Sequence, residues 1–315
     1  MKILIVDDVH PILMERLEEK GHTTDYQPDI QPEEILQQIP DYEGMVIRSK
    51  MRVDGDLINR AAKLKVIARM GSGMENIDID LAHSRGIVCL NAPEGNKDAV
   101  GEHALGLLLG VINRIPPANN QVKHGIWNRE ANRGTELKGK TVGIIGYGNT
   151  GSAFAEKIQG LGVNILAYDK YKFDYGGPLV RECRMEKLYE ETDILSLHVP
   201  LTRETKHLVN HTFISRFRKP LVLVNTSRGG VVCTQDLVSS LNNGKIQAAA
   251  LDVLEYESSS FESLHQANDL PRYFRDLANM EQVVLTPHVA GWTHESYRKL
   301  SEITAIKMLR HLGHP

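Results

Sequence analysis

Apolar and polar positions alternate along the chain in two patterns. Short apolar runs, typical of buried parallel strands, are separated by helix-length segments whose apolar residues recur on one face. In the N-terminal part, helices are predicted at His10–Lys20, Gln31–Gln38 and Asp56–Ala62. The apolar runs around them predict the strands Lys2–Val6, Met45–Ile47, Val66–Arg69 and Val88–Leu90. This alternation indicates βαβ units and therefore an α/β fold with parallel sheets.

The same alternation continues in the C-terminal two thirds. A long helix is predicted at Ala99–Arg114, after which Pro116-Pro117 interrupts the pattern and a polar stretch runs from Asn119 to Lys140. A second series of strands follows at Thr141–Ile145, Val163–Tyr168, Asp193–His198, Leu221–Asn225, Ala248–Val253 and Val283–Thr286. A closing amphipathic helix is predicted at Ser296–Leu312. The least regular segment, Glu257–Met280, is predicted to be a surface excursion.

A glycine-rich segment lies between a predicted buried strand and a predicted helix. Its residues fit the spacing G-x-G-x-x-G and are Gly146, Tyr147, Gly148, Asn149, Thr150 and Gly151. In such a segment the first glycine permits a tight turn, the second lets a pyrophosphate approach the backbone, and the third lets the helix pack closely on the strand. The helix N-terminus then offers N–H groups to the anion. This context predicts a dinucleotide site.

A carboxylate follows the next predicted strand. Asp169 lies 18 residues after Gly151, where an acidic residue can accept hydrogen bonds from the adenosine ribose hydroxyls. The same charge repels a 2′-phosphate, so the predicted cofactor is NAD. Lys170 and Lys172 follow directly and keep NADP as an alternative.

Polar residues also follow the later strands of this half. They are His198 after one strand, followed by Val199 and Pro200; Thr226, Ser227 and Arg228 after the next; then Asp252, Glu255 and Glu257; and finally Thr286 and His288, on either side of Pro287. Since the carboxyl ends of parallel strands meet at one edge of the sheet, and ligands bind there, we expect these residues to lie together near the nicotinamide.

Three of these residues supply the chemistry of a hydride transfer to a 2-oxo acid. Arg228 can hold a carboxylate and polarise a carbonyl with its planar guanidinium. His288 can give the carbonyl oxygen a proton and take it back in reverse. Glu257 can orient the imidazole. The alternative for Arg228 is a surface ion pair, and for His288 a structural role beside Pro287.

Composition narrows the function classes. The chain has 315 residues, enough for two domains, and a net charge of -3 with scattered Lys and Arg, which argues against a nucleic-acid partner. No apolar run is long enough to span a bilayer, and the first residues do not form a signal peptide. The three cysteines, Cys89, Cys183 and Cys233, have no metal-ligand spacing and indicate reduced thiols in the cytoplasm, with no metal site.

The chain resembles the D-isomer-specific 2-hydroxy acid dehydrogenases, most closely their D-3-phosphoglycerate dehydrogenase-like branch. The similarity covers nearly the whole chain and includes, in order, the segments Arg69–Asp78, Asn91–Asn96, Glu136–Thr141, Gly146–Gly151, Ser196–Thr202, Asn225–Gly229, Leu251–Val253 and Thr286–Gly291. Lys97 is a departure, because the phosphoglycerate branch usually has a small hydroxyl residue there, and the stretch from Glu257 to His288 is longer than is common.

The resemblance implies a role for each residue of the site. Arg228 would bind and activate the substrate, and His288, paired with Glu257, would be the acid/base. Substrate contacts are implied for Arg48, Ser49, Ser72 and Gly73, although an ion pair at a strand end is an equal alternative for Arg48. The implied cofactor contacts are Gly146, Gly148, Asn149, Thr150, Gly151, Asp169, His198, Val199, Pro200, Thr205, Thr226, Ser227, Asp252 and Gly291.

The resemblance also implies a domain organisation. It predicts two Rossmann/flavodoxin-like doubly wound domains, of which the smaller is discontinuous. Residues 1–92 and 292–315 would form a substrate-binding domain that closes over the site, and residues 93–291 an NAD-binding Rossmann domain. Members of the family are usually homodimers through the cofactor domain.

The implied function is an NAD-dependent oxidoreductase that interconverts a D-2-hydroxy acid and its 2-oxo acid, with D-3-phosphoglycerate and 3-phosphohydroxypyruvate as the leading pair. Hydroxypyruvate, glyoxylate or D-lactate type substrates are alternatives. Formate oxidation is less consistent with Glu257, because that branch pairs its histidine with Gln. Two non-enzymatic alternatives are an NAD-sensing, corepressor-like protein and, from Asp7-Asp8, a phosphate-accepting receiver domain, although Arg48-Ser49 follows the strand that should end in its acceptor.

Overall fold

A computed structural model describes residues 1–257 and 270–314 of the chain. The described residues form two compact units, one of residues 1–97 and 292–314 and the other of residues 98–257 and 270–291. The chain thus divides first after Lys97, whereas the resemblance predicts a division after residue 92. Much of the predicted excursion Glu257–Met280 lies outside the described residues.

The first unit is built on a parallel sheet whose described strands have the order β2-β1-β3-β4-β5. The strands are β1 Lys2–Ile5, β2 Thr23–Tyr26, β3 Gly44–Ile47, β4 Val66–Arg69 and β5 Val88–Asn91. This order is that of a flavodoxin-like doubly wound sheet. Its helices are α1 Ile12–Glu18, α2 Pro32–Gln38, α3 Gly55–Arg60, α4 Ile79–Ser84 and the C-terminal helix His294–His311.

Alternate residues of β1 pack on opposite faces of this sheet. Ile3 and Ile5 join a core cluster with Met308 of the C-terminal helix, and Leu4 joins the cluster on the other face. The C-terminal helix therefore belongs to the same core as the N-terminal strand. Strand β2 was not predicted, because its sequence Thr-Thr-Asp-Tyr is polar and lies at a half-exposed sheet edge.

The second unit is built on a parallel sheet whose described strands have the order β12-β11-β10-β9-β6-β7-β8. These strands are β6 Thr141–Ile145, β7 Asn164–Tyr168, β8 Arg181–Glu182, β9 Ile194–Leu197, β10 Leu221–Asn225, β11 Ile246–Leu251 and β12 Val283–Leu285. The strand order reverses between β6 and β9, which is the point where a doubly wound sheet binds its ligand. Two parallel-sheet units with helices confirm the predicted α/β class.

The helices of the second unit include one at the interruption predicted for Pro116-Pro117 and one within the predicted excursion Glu257–Met280. They are α5 Lys97–Ile112, α6 Ile115–Lys123, α7 Asn149–Ile158, α8 Met185–Glu191, α9 His211–Ser215, α10 Thr234–Asn242 and α11 Arg272–Ala278. Pro116-Pro117 ends the pattern of α5, but the two prolines occupy the first turn of α6, where a missing N–H costs no hydrogen bond. Within the described residues, no helix is long and apolar enough to cross a membrane.

One row of paired residues crosses six strands of the second sheet. Tyr168 pairs with Ile145, Ile145 with Leu197, Leu197 with Asn225, Asn225 with Leu251, and Leu251 with Leu285. Each residue of the row is the last or nearly the last of its strand. The residues that follow are therefore presented side by side along one carboxyl edge, over about 24 Å at the usual strand spacing.

Candidate active site

The glycine-rich turn lies at the reversal point of the second sheet. Gly146 has φ +92, and a Cβ there would lie 2.4 Å from the carbonyl oxygen of His198. A Cβ on Gly151 would lie 2.1 Å from the carbonyl oxygen of Gly146, so only glycine allows this packing of α7. At Gly148 nothing lies within 4 Å of an added Cβ, which leaves the turn open on its outer side. Asn149 is exposed there and Thr150 is partly buried.

Asp169 follows β7 and binds back to this turn. Its Oδ2 accepts a hydrogen bond from the backbone N–H of Tyr147 at 2.8 Å. Its Oδ1 accepts from the N–H groups of Tyr171 and Lys172 at 2.9 and 3.1 Å. A carboxylate has about four acceptor sites, so it can still accept from a ligand hydroxyl. Asp169, the residue predicted to bind the ribose, therefore lies against the glycine turn.

Two observations show that these residues fit a dinucleotide. Helix α7 begins at Asn149, and its N-cap residue Gly148 makes no side-chain cap, so the first N–H groups can bind an anion. Further along the same edge, the Oγ1 of Thr226 is buried and has no hydrogen-bond partner within the described residues. An orphaned hydroxyl of this kind is costly unless a ligand pairs with it.

His198 supports the turn from below. Its ring is buried, with Nε2 2.8 Å from Ser196 Oγ and Nδ1 3.3 Å from Thr150 Oγ1. Burial lowers the pKa of His198 to about 3, so the ring is neutral. Both ring nitrogens are bonded inside the protein, so the ring positions Thr150, and the contact of His198 with the cofactor stays a prediction. Thr205 donates its hydroxyl to the carbonyl of Pro200 at 2.6 Å, beside the partly buried Val199, and the cofactor contacts of these three residues stay predictions.

The turn that carries Arg228 is held by a buried amide. Asn225 Oδ1 accepts hydrogen bonds from the N–H and the hydroxyl of Ser227 at 3.0 and 2.8 Å, and its Nδ2 donates to the carbonyl of Arg228 at 3.0 Å. The next residue, Gly229, packs on the following turn so closely that a Cβ would lie 1.9 Å from Leu254 O. The Arg228 turn and the turn leading to Glu257 are therefore in contact.

His288 and Glu257 are paired as predicted from the residues. Nδ1 of His288 lies 2.6 Å from Glu257 Oε2, and the side chains are 23% and 13% exposed. His288 has φ +55, a backbone conformation uncommon outside glycine, which sets the direction of the imidazole. Glu257 also accepts a hydrogen bond from the N–H of Leu254, which fixes the carboxylate.

Asp252 holds the backbone that carries His288. Its fully enclosed carboxylate accepts from Thr286 Oγ1 at 2.6 Å and from the N–H groups of Val289 and Ala290 at 2.9 and 2.8 Å. Burial alone would raise the pKa of Asp252, but hydrogen bonds from His103, Thr286 and these two N–H groups together lower it. Asp252 thus fixes the loop that carries His288, and its contact with the nicotinamide stays a prediction.

His103 is a member of this network that the sequence did not reveal. Its Nε2 lies 3.0 Å from Thr286 Oγ1 and 3.4 Å from Asp252 Oδ1. The residue lies in α5, far from any strand end, so a search of strand ends passes over it. A polar residue on the largely apolar helix α5 was the one available signal. Gly291, predicted at the cofactor, is the last residue of this unit.

In the first unit, the predicted substrate residues lie at the carboxyl edge of its sheet. Asp7 Oδ2 accepts from the N–H groups of Arg48 and Ser49 at 2.6 and 3.2 Å, which shapes the turn after β3. The guanidinium of Arg48 lies 4.3 Å from the ring centre of Trp292. Asp7 therefore has a structural use in this turn.

The loop of Ser72 and Gly73 is held by the same edge. Ser72 Oγ donates to Asn96 Oδ1 at 2.8 Å, and Asn91 Nδ2 donates to Ser72 O at 2.7 Å. Beneath the loop, the buried Arg69 approaches so closely that a Cβ on Gly71 would lie 1.8 Å from its Nη1. The loop backbone is therefore fixed.

Comparison with known proteins agrees with this geometry. Residues 105–290 match the family model described as D-isomer specific 2-hydroxyacid dehydrogenase, NAD binding domain. The chain is 36% identical over 309 residues to a D-3-phosphoglycerate dehydrogenase of Archaeoglobus fulgidus, which covers 97% of this chain and 56% of that protein. It is also 36% identical over 284 residues to a hydroxypyruvate reductase of Thermotoga maritima, with 90% and 89% covered.

A solved structure gives the same result. A D-lactate dehydrogenase from Treponema pallidum superposes with a TM-score of 0.82 at 26% identity, covering 100% of this chain and 98% of that one. The chain spans little more than half the length of the phosphoglycerate dehydrogenases that it matches. The matched domain is the NAD-binding domain, which confirms NAD as the predicted cofactor. On motif order, site geometry and these similarities together, the chain belongs to the D-isomer specific 2-hydroxyacid dehydrogenase family.

Proposed function

We propose that the protein interconverts a D-2-hydroxy acid and its 2-oxo acid with NAD, and that its substrate pair is D-3-phosphoglycerate and 3-phosphohydroxypyruvate. The observation that carries the proposal is the pairing of His288 Nδ1 with Glu257 Oε2 on the sheet edge that also presents Arg228 and the glycine turn. An acid/base, a cation and a dinucleotide turn on one edge are the parts that this reaction needs.

Each residue has a separate task in the reduction. When bound, NADH supplies the hydride to the carbonyl carbon. Arg228 binds the substrate carboxylate and draws electron density toward the carbonyl oxygen. His288 Nε2 gives that oxygen its proton as the alcohol forms, and takes it back in the oxidation. Glu257, bonded to Nδ1, keeps the ring in one orientation through both directions.

The substrate proposal is supported by the names of the relatives. Several relatives that match 97% or 98% of this chain are called D-3-phosphoglycerate dehydrogenase. Arg48, which lies against Trp292, is a cation suited to a phosphate. Together with Ser49, Ser72 and Gly73 it stays a predicted substrate ligand. Hydroxypyruvate is the second candidate, because a hydroxypyruvate reductase matches this chain over 89% of its own length.

A panel of 2-oxo acids tests the substrate. NADH consumption is measured with 3-phosphohydroxypyruvate, hydroxypyruvate, glyoxylate and pyruvate, and kcat/KM is compared. We expect the highest value with 3-phosphohydroxypyruvate. A higher value with hydroxypyruvate would replace the phosphorylated substrate by the second candidate.

We also propose that the protein is a homodimer and works in the cytoplasm. Four large apolar side chains in and after α6 are exposed by half or more: Ile115, Val122, Ile126 and Trp127, at 54%, 53%, 52% and 79%. A cluster of this kind is expected where another protein surface packs. All three cysteines are free thiols, as is usual in a reducing compartment.

A further inference from the structure

The four residues that follow β7 combine one carboxylate with two lysines. Asp169 is the expected partner of the ribose hydroxyls, and Lys170 and Lys172 both follow it in the sequence. NADP differs from NAD by a phosphate on one of those hydroxyls. A lysine available at this place would attract that phosphate, so the contacts of the two lysines determine how well the dinucleotides are distinguished.

Lys172 is directed toward the protein. Its Nζ donates to the carbonyl of Tyr147 at 3.2 Å and lies 5.4 and 5.8 Å from the ring centres of Tyr147 and Tyr175. Those two rings are stacked at 4.6 Å. The carbonyl and the two ring faces together hold this charge beside the glycine turn.

Lys170 is held by an acid from another loop. Its Nζ lies 2.7 Å from Glu204 Oε2, and the hydroxyl of Tyr171 donates to the same oxygen at 2.7 Å. Glu204 belongs to the loop between β9 and α9, where its N–H donates to Thr202 Oγ1 at 3.2 Å. The hydrogen bond with Glu204 raises the pKa of Lys170, so the lysine stays charged and paired.

We propose that Glu204 is a specificity-determining residue for the dinucleotide. Glu204 pairs with Lys170 and Tyr171, so the ammonium group of Lys170 is not available to a phosphate on the ribose. The carboxylate of Glu204 also adds a negative charge near that of Asp169. A 2′-phosphate then meets two carboxylates and no available lysine. The inference rests on the proposed function only in that the dinucleotide binds along the glycine turn.

The expected effect is moderate, because the pair is open to water. The side chains of Lys170 and Glu204 are each 54% exposed, so solvent and salt weaken their interaction. Replacing Glu204 by Gln keeps an acceptor for Tyr171 but removes the charge that holds Lys170. We expect the ratio of the Kd for NADPH to the Kd for NADH to fall about twofold to fivefold in Glu204→Gln at low salt.

Fluorescence titration of the full chain with NADH and with NADPH tests the proposal without turnover. Glu190→Gln is the matched control, since Glu190 is an exposed acid of the same unit that faces a different lysine, Lys187. The proposal requires that Glu204→Gln lowers the ratio, that Glu190→Gln leaves it unchanged, and that the difference shrinks at high ionic strength. An unchanged ratio in Glu204→Gln overturns it.

A double-mutant cycle tests whether Glu204 acts by pairing with Lys170 or only by repelling the 2′-phosphate. If Glu204 acts by holding Lys170, then Glu204→Gln should improve NADPH binding much less in a Lys170→Gln background. An equal improvement in both backgrounds would contradict a role of Glu204 through its pairing with Lys170. The same titration distinguishes failure of the proposed function. Wild-type protein that binds neither NADH nor NADPH would contradict dinucleotide binding itself. Normal NADH binding with an unaltered ratio in Glu204→Gln would contradict only the role of Glu204.

Discussion

His288 is the residue on which the proposed chemistry depends most. In the proposed reaction His288 is the single proton donor, and its pairing with Glu257 holds the imidazole ring in place. We expect His288→Gln to lower the rate of 2-oxo acid reduction by about 10²–10⁴, with NADH binding changed little, because general acid catalysis is lost and the glycine turn is untouched. Steady-state rates and NADH titrations measure this. His211→Gln, an exposed histidine of the same unit, is the control.

Arg48 carries the substrate proposal at the residue scale. Arg48→Ala should raise KM for 3-phosphohydroxypyruvate about tenfold or more and leave KM for pyruvate nearly unchanged, since only the former has a phosphate to bind. The two substrates are compared with one enzyme preparation. An equal rise for both would remove Arg48 as a phosphate ligand and favour a role in the fold.

His198 gives a pH prediction. Its pKa is about 3 in the folded chain and near 6.5 when unfolded, so the unfolded state binds a proton that the folded state excludes between these values. Stability is therefore lost as pH falls below 6.5. Between pH 7 and pH 5 this residue should cost about 2 kcal/mol of unfolding free energy. Urea unfolding of the wild type should show that loss, and His198→Asn should lack it; identical pH dependence would contradict the buried, neutral ring.

The sequence predicted the residues that we propose to react, but not the residues that position them. Arg228, Glu257 and His288 follow strands, where parallel-sheet geometry collects ligands. The hydrogen bonds that His103 and Asp252 make to Thr286 depend on side-chain packing between α5 and the loop after β12. No spacing along the chain encodes this packing. The paired state of Lys170 likewise depends on a loop 34 residues away.

The glycine turn yields a prediction at the scale of an element. Gly151→Ala places a Cβ 2.1 Å from Gly146 O and should destabilise the protein by about 1–3 kcal/mol. Gly148→Ala meets nothing within 4 Å and should fold normally, yet weaken NADH binding about tenfold, because the added methyl lies where a pyrophosphate approaches. Thermal unfolding and NADH titration of the two variants give the comparison. Normal NADH affinity in Gly148→Ala would place the pyrophosphate elsewhere.

Strands and helices were predictable from the sequence where their buried residues form an apolar run or recur on one face. The strands from β6 to β12 other than β8 match apolar runs in the sequence, which parallel strands covered on both faces are expected to have. Strands β6 and β9 are fully buried, whereas β12 is partly buried. Strand β8 has two residues, Arg181 and Glu182, and no apolar signal. Helix α6 was missed because two prolines, which usually end a helix, here begin one.

At the scale of the whole molecule, the exposed apolar cluster after α5 predicts an assembly. Sedimentation velocity at micromolar concentration should show a dimer for the wild type and a shift toward monomer for Trp127→Ser, since that ring is 79% exposed and would be buried between subunits. Phe173→Ser, a change at another exposed aromatic residue of the same unit, should leave the dimer intact. A monomeric wild type would contradict the homodimer.

We propose that the dinucleotide and the polar residues of one sheet edge perform a stereospecific reduction. The most direct measurement follows NADH oxidation with 3-phosphohydroxypyruvate, hydroxypyruvate, glyoxylate and pyruvate, and then resolves the chiral products by chromatography. We expect one D-2-hydroxy acid to form for each NADH oxidised with at least one of these acids. Tight NADH binding without oxidation in the presence of any of them would contradict it and would indicate a dinucleotide-sensing protein instead.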